Sequence, residues 1–301
     1  MSVRLSRGAA LSLFSVVILA WGFNWTVTKL LVESVPPLWL TAVRSAIALV
    51  VLFAMMLATR DLRLPKRGDL AVVFNIALLH MTAFAALMAI GLQTVAAGRS
   101  IVLGFTTPLW VIPGAMLFLG ERLTARRAVG VALGLAGLGL MFNPAAFDWS
   151  DRQALQGNGL LLLAAFCWAV SIVHIRKHVW ISTPYQLVFW EVLVATALLA
   201  FLAAVFEGSP QIAWNVQVVL LFLYGGVFGV ALAYWAMAMV NRSLPAVTTS
   251  LGVLATPVVG VLSSIVFLNE AIDLTLAAAM VLILGGIALG TLGGAGRTAA
   301  R

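Results

Sequence analysis

Arg44 and Glu191 are the residues least at home in their surroundings: each is an ionisable side chain inside a long apolar run, 37–58 and 184–206 respectively. A charge held away from water is costly, so such groups face a packed interior or an aqueous cavity and mark pathways or gates. The alternative is that each stabilises packing at its own end of its helix, or that Arg44 snorkels outward. His80, in the run 69–91, has an ordinary pKa that suits it to carry protons. The same ring, kept neutral, can hydrogen-bond across helices or to a solute. Asn75 points to a related face, and His174 and His178 fall at the end of another run, where interfacial placement accounts for both. Nothing here composes an enzyme. HExxH, GxSxG and paired carboxylates within one run are absent, and no GxxxxGK[ST] loop offers ATP as the direct energy source. Cys167 is the single cysteine, which excludes an internal disulfide, and no CxxC or His/Cys cluster suggests a metal. No catalytic residue, metal or cofactor is expected. A lipid-modifying membrane enzyme would need a nucleophile, base or metal set near one interface, whereas these histidines are dispersed and the deep carboxylate stands alone.

Aromatic residues form the second anomaly. Of ten tryptophans, Trp39, Trp149, Trp180 and Trp214 sit at run ends, where an interfacial belt explains them. Trp21, Trp110, Trp168 and Trp190 lie deeper, with Trp25 and Trp235 between. A buried indole N–H needs a partner, so these rings either fill a core or line a cavity for an apolar or aromatic solute. Tyr234 and Trp235 with His80 are the preferred grouping. Pro108 and Pro257 lie centrally in their runs, preceded by Thr106-Thr107 and Thr256. Each proline removes a backbone donor and frees a carbonyl four residues back, which neighbours, hydroxyls or water must satisfy in lipid. Kinks at matching central positions point to a solute site; the alternative is a static kink that only shapes the bundle.

The elements that must position these groups follow from composition. A chain of 301 residues with 63% hydrophobic and 9% charged residues and a mean hydropathy of +1.10 is no soluble domain. Several runs exceed the roughly 18 apolar residues of a spanning helix, and barrel-type alternation is missing. Helices are expected over 9–32, 37–58, 69–91, 97–119, 124–142, 157–177, 184–206, 216–240, 245–268 and 274–293, numbered 1 to 10. With the N-terminus inside, fourteen basic residues fall in inner loops: Arg4, Arg7, Arg60, Arg63, Lys66, Arg67, Arg122, Arg126, Arg127, Arg176, Lys177, Arg242, Arg297 and Arg301. Only Lys29, Arg99 and Arg152 fall outside. That asymmetry predicts both termini in the cytoplasm and explains the net charge of +8 better than nucleic-acid binding does. The lipid bilayer is one partner, a small-molecule substrate the other, and a monomer is the working expectation. Arg44 and Glu191 then lie ~12 Å from opposite faces, so no direct ion pair is expected between them. The first apolar run lacks a small-residue cleavage site and is read as a retained helix.

The second half repeats the first. Trp21 aligns with Trp168, Lys29 with Arg176, Pro37 with Pro184 and Arg44 with Glu191. Further on, the run ending LGE at Glu121 aligns with the run ending LNE at Glu270. Five helices per half make the copies inverted. The expected organisation is a five-helix repeat over 1–142, an external connecting loop over 143–156 and a second repeat over 157–301. Gly130-xxx-Gly134, matched by Gly286-xxx-Gly290, is read as close helix packing, against each other or a partner chain.

These features together resemble the drug/metabolite transporter superfamily, EamA type: ten helices, an inverted repeat, early tryptophans Trp21 and Trp168, the T-P pairs at Pro108 and Pro257, and the endings at Glu121 and Glu270. The resemblance covers essentially the whole chain. It implies a bacterial inner-membrane exporter of amino acids or other small metabolites. It also implies a central cavity formed by helices 3, 4, 8 and 9, with the 1–2 and 6–7 pairs rocking to alternate access. His80, Thr106, Thr107, Trp110, Tyr234, Trp235 and Thr256 become candidate cavity residues, and Trp21, Trp168 and Trp190 candidates on the moving side. Arg44, Glu191, Pro108 and Pro257 are candidates for gating. The tryptophan-rich interior favours aromatic and other apolar amino acids; other metabolites or drugs are the alternative. Arg44 facing Glu191 in the alignment is a departure between halves, which puts identical charge roles in doubt.

Overall fold

A computed structural model describes residues 5–121, 123–142, 149–244, 248–249 and 252–292. Arg4, Arg122, Arg297, Arg301, the stretch 143–148 of the expected connecting loop and parts of the expected ninth helix lie outside the described residues. Every regular element among the described residues is helical. In chain order they are α1 (Arg7–Val32), α2 (Pro37–Thr59), α3 (Arg67–Thr94), α4 (Ala97–Leu119), α5 (Ala125–Met141), α6 (Arg152–Lys177), α7 (Pro184–Phe206), α8 (Val216–Asn241), α9 (Ala255–Leu268) and α10 (Leu274–Leu292). Seven of these are long and apolar enough to cross a membrane, and α9 and α10 are shorter apolar helices. Large apolar side chains such as Phe53, Phe201, Leu117 and Phe267 project outward, as a lipid-facing surface requires.

Helix starts obey local chemistry. Pro37 and Pro184 occupy the first position of α2 and α7, where a missing N–H costs nothing. At α7 the Thr183 hydroxyl and the Gln186 side chain form a reciprocal capping box. The protein is an all-α membrane bundle of two inverted five-helix repeats, and its packing shows the exchange: α1 lies on α9 as α6 lies on α4, and α2 meets the middle of α8 as α7 meets the middle of α3. Two pairs join equivalent helices of the two repeats. In α5–α10 a Cβ on Gly130 would collide with the carbonyl oxygen of Gly286, and one on Gly286 with that of Gly130. In α2–α7 the hydroxyls of Ser45 and Thr196 bond at 2.7 Å.

Two departures from plain α-helix fall at matching places. Residues Ile76–Phe84 of α3 and Tyr224–Leu232 of α8 are π-helical, nine residues each. Such wide turns recur at functional sites. In α4 the expected kink is a full break: one segment ends at Gly104, a turn spans Phe105 and Thr106, and a second segment runs Thr107–Leu119. Pro108 therefore sits in the first turn of a new helix segment. Pro257 likewise stands third in α9, which starts at Ala255. The freed carbonyls are satisfied locally, Gly104 by the Thr107 hydroxyl at 2.8 Å and Val253 by the Thr256 amide at 2.9 Å.

The two ends of the bundle are tied differently. On the face away from the arginine-rich loops, the Glu207 carboxylate accepts the amides of Leu38 and Trp39, both at 2.9 Å, at the start of α2. Glu270 accepts those of Ala97 and Gly98 at 2.6 and 2.8 Å at the start of α4. A carboxylate at a helix N-terminus meets unpaired donors and the positive end of the dipole. On the basic face Glu121 pairs with Arg127 at 2.8 Å and with Arg176. There Asp69 accepts the amides of Ile181 and Ser182 and bonds His178 at 2.9 Å.

Candidate central cavity

A cavity of about 140 Å³ lies at the centre of the bundle, lined from α1, α2, α3, α4, α6, α7, α8 and α9. That is room for on the order of ten waters, or one solute of comparable size. The π-helical turn of α3 carries His80 into it. The imidazole stacks flat on Trp168 of α6, with centroids 5.1 Å apart and planes 2° from parallel. Its Nε2 lies 3.3 Å from the Tyr234 hydroxyl on α8, and Tyr234 in turn meets the edge of Trp21 on α1. Phe84 packs on both His80 and Trp168, and Phe105 meets Trp168 edge-on. The result is a continuous aromatic run that contains Trp21 and Trp168, which are repeat equivalents.

Polar groups line the cavity as well. Arg44 is 5% exposed, and its Nη1 donates to the Thr28 hydroxyl at 3.0 Å. That hydroxyl donates to the Asn24 carbonyl at 2.7 Å. The Asn24 Oδ1 and the Thr256 hydroxyl are buried with no partner among the described residues, and both residues line the cavity. Two glycines make this wall possible. A Cβ on Gly225 would stand 2.8 Å from Arg44 Cδ, and one on Gly229 would stand 2.5 Å from Asn24 Oδ1.

Of the residues singled out in the sequence, His80, Tyr234, Thr256, Trp168, Trp21, Trp25 and Arg44 line the cavity. The others are placed elsewhere. Thr106 and Thr107 turn their hydroxyls onto the carbonyls of Leu103 and Gly104 at the break in α4. Trp110 meets Phe166 edge-on, its buried indole nitrogen without a partner among the described residues. Trp235 packs between two apolar clusters on the basic side. Trp190 donates to the Arg63 carbonyl at 2.8 Å. Glu191 is 5% exposed and off the cavity wall. Pro108 and Pro257 shape the helix breaks. Asn75 donates to the Ser171 hydroxyl at 2.9 Å, tying α3 to α6. Asn24, Thr41, Ser45, Phe84 and Phe105 join the wall without having been singled out. An asparagine in the middle of helix 1 was the available signal for the first of them. Among the described residues no cluster of three His, Cys, Asp or Glu side chains stands close enough to hold a metal.

Known proteins share this architecture. The model of the EamA-like transporter family matches residues 8–143 and again 155–292. The uncharacterized transporter YoaV of Bacillus subtilis is 25% identical over 91% of this chain and 94% of its own length. The uncharacterized inner membrane transporter YedA of Escherichia coli K12 is 28% identical over 83% of this chain and 80% of its own. A protein crystal structure superposes with a TM-score of 0.65 at 24% identity, covering 95% of this chain and 98% of that one. With the family model matched twice across nearly the whole length, on a ten-helix bundle of inverted repeats around a central cavity, this chain belongs to the EamA-like transporter family of the drug/metabolite transporter superfamily.

Proposed function

We propose that this transporter exports amino acids, with aromatic and other apolar ones favoured, across the bacterial inner membrane by alternating access. The observation that carries this reading is the cavity lining: an aromatic run, a few polar groups unpaired among the described residues, and room for one small solute. Pockets of this kind bind through apolar contact and use few polar groups for orientation. The repeats are 1–142 and 157–301, the α1–α2 and α6–α7 pairs rock to alternate access, and both termini lie in the cytoplasm by the basic-residue asymmetry. His80 and Tyr234 join α3 to α8 across the cavity, so their bond is a contact that opening on one side would stretch.

Counterflow in proteoliposomes with a panel of labelled amino acids and other metabolites tests the substrate class. Amino acids, led by phenylalanine, tryptophan and leucine, are expected to exchange. Exchange of other metabolites alone would refute the proposal. Tyr234→Ala and His80→Ala are each expected to cut flux at least tenfold while the purified protein stays monodisperse. Unchanged rates in both would remove this cavity as the site.

A further inference from the structure

The polar wall of the cavity has a definite charge pattern. Arg44 is a buried cation holding one side-chain hydrogen bond, to Thr28. Among the described residues no carboxylate lies within ion-pair distance of it. Guanidinium carries five donors in a fixed fork that suits a carboxylate. Two buried oxygens of the same cavity, Asn24 Oδ1 and Thr256 Oγ1, have no donor to accept from among the described residues. Arg44 Cδ and Asn24 Oδ1 lie 2.8 and 3.7 Å from one point, the place a Cβ on Gly225 would take. A fork of donors with one acceptor beside it, Asn24, and a second acceptor, Thr256, thus line the cavity that also holds the stacked His80 and Trp168.

We infer that this wall reads the two charged groups of a free α-amino acid at separate points: Arg44 takes the carboxylate, Asn24 and Thr256 take the ammonium, and the side chain lies on the aromatic run. The inference rests on the amino-acid reading above and sharpens it. A simple acid satisfies Arg44 and leaves two acceptors unpaired. A simple amine does the reverse and leaves a buried cation uncompensated. Leaving buried groups unpaired is what makes a site discriminate.

The test is competition against labelled phenylalanine in counterflow by unlabelled phenylalanine, 3-phenylpropionate and 2-phenylethylamine. Wild-type protein is expected to prefer phenylalanine over each analogue by roughly tenfold or more, the scale of one lost charge-assisted hydrogen bond. Asn24→Leu is expected to lose the preference over phenylpropionate and keep that over phenylethylamine. Arg44→Gln is expected to do the opposite. Should Arg44→Gln fail to fold, Thr256→Val, which keeps the side-chain shape, asks the question again from the ammonium side and is expected to weaken the preference over phenylpropionate. Equal competition by all three compounds in wild type, discrimination untouched by Asn24→Leu, or phenylalanine inert while other amino acids move would each overturn the inference and leave amino-acid export standing. Inertness toward every amino acid in the panel would overturn both.

Discussion

Glu121 and Glu270 end the same motif in the two repeats, yet they do different work. Glu270 caps the first amides of α4, whereas Glu121 is held by the side chains of Arg127 and Arg176. Arg44 and Glu191 differ in the same way: one forms part of the cavity wall and the other is buried behind it. Duplication supplies two equivalent frames. Inversion then puts equivalent residues at opposite faces, among different neighbours, and the neighbours decide the role. Positions where the halves still touch each other as equivalents should respond equally to mutation, and positions with different neighbours should not.

The largest effect is expected where the halves are alike. Gly130 and Gly286 bring α5 and α10 into backbone contact, each beneath the other's carbonyl. Close approach through small residues is a principal source of helix association in a bilayer. Gly130→Leu and Gly286→Leu should each cost about 3 kcal/mol or more, since the obstructing atoms are backbone and do not yield. Thermal unfolding in one detergent should find the two variants equally damaged, and a difference of more than 5 °C between them would break the equivalence. Next come the motif glutamates. Glu270→Ala removes two charge-assisted bonds at a helix start, worth about 2 kcal/mol together. Glu121→Ala removes ion pairs at a side chain 24% exposed, worth under about 1 kcal/mol. The same melts should rank Glu270→Ala clearly below Glu121→Ala, and equal midpoints would show that the cap contributes nothing.

These asymmetries mark the boundary of what the primary structure discloses. Helix limits were legible where a proline opens the helix: α7 was expected over 184–206 and is Pro184–Phe206, and α2 was expected over 37–58 and is Pro37–Thr59, whereas α6, expected from 157, starts at Arg152 inside the expected connecting loop. Hydropathy contrast and a proline at the first position define such edges sharply. Which face of a helix meets the cavity was not legible, because helices that are apolar all round carry no periodic stripe. Trp110 and Trp190 have the same depth credentials as Trp168 and point elsewhere, as does Trp235 from an intermediate depth. The π-helical turns that aim His80 have no compositional mark, and a central proline reads equally as a kink or as the first turn of a new segment. The cap from Glu207 to α2 joins residues 169 and 168 positions apart, beyond the reach of any local pattern.

The smallest expected effect is also the cleanest contrast. Thr107 and Thr256 each precede the proline of the repeated T-P pair, and both are buried. The Thr107 hydroxyl satisfies the Gly104 carbonyl at the break in α4, while the Thr256 hydroxyl has no partner among the described residues and lines the cavity. Valine keeps the shape of threonine and removes only the hydroxyl. At 107 it strips a buried carbonyl of its donor and should cost about 1 kcal/mol. At 256 it relieves an unpaired group and should leave stability unchanged or slightly raised. Flux should follow the opposite order, with Thr256→Val raising the half-saturation concentration for phenylalanine several-fold and Thr107→Val leaving it within twofold. A lowered melting point for Thr256→Val would mean that its hydroxyl supports the fold after all, and that the cavity wall is built from fewer groups than the geometry assigns to it.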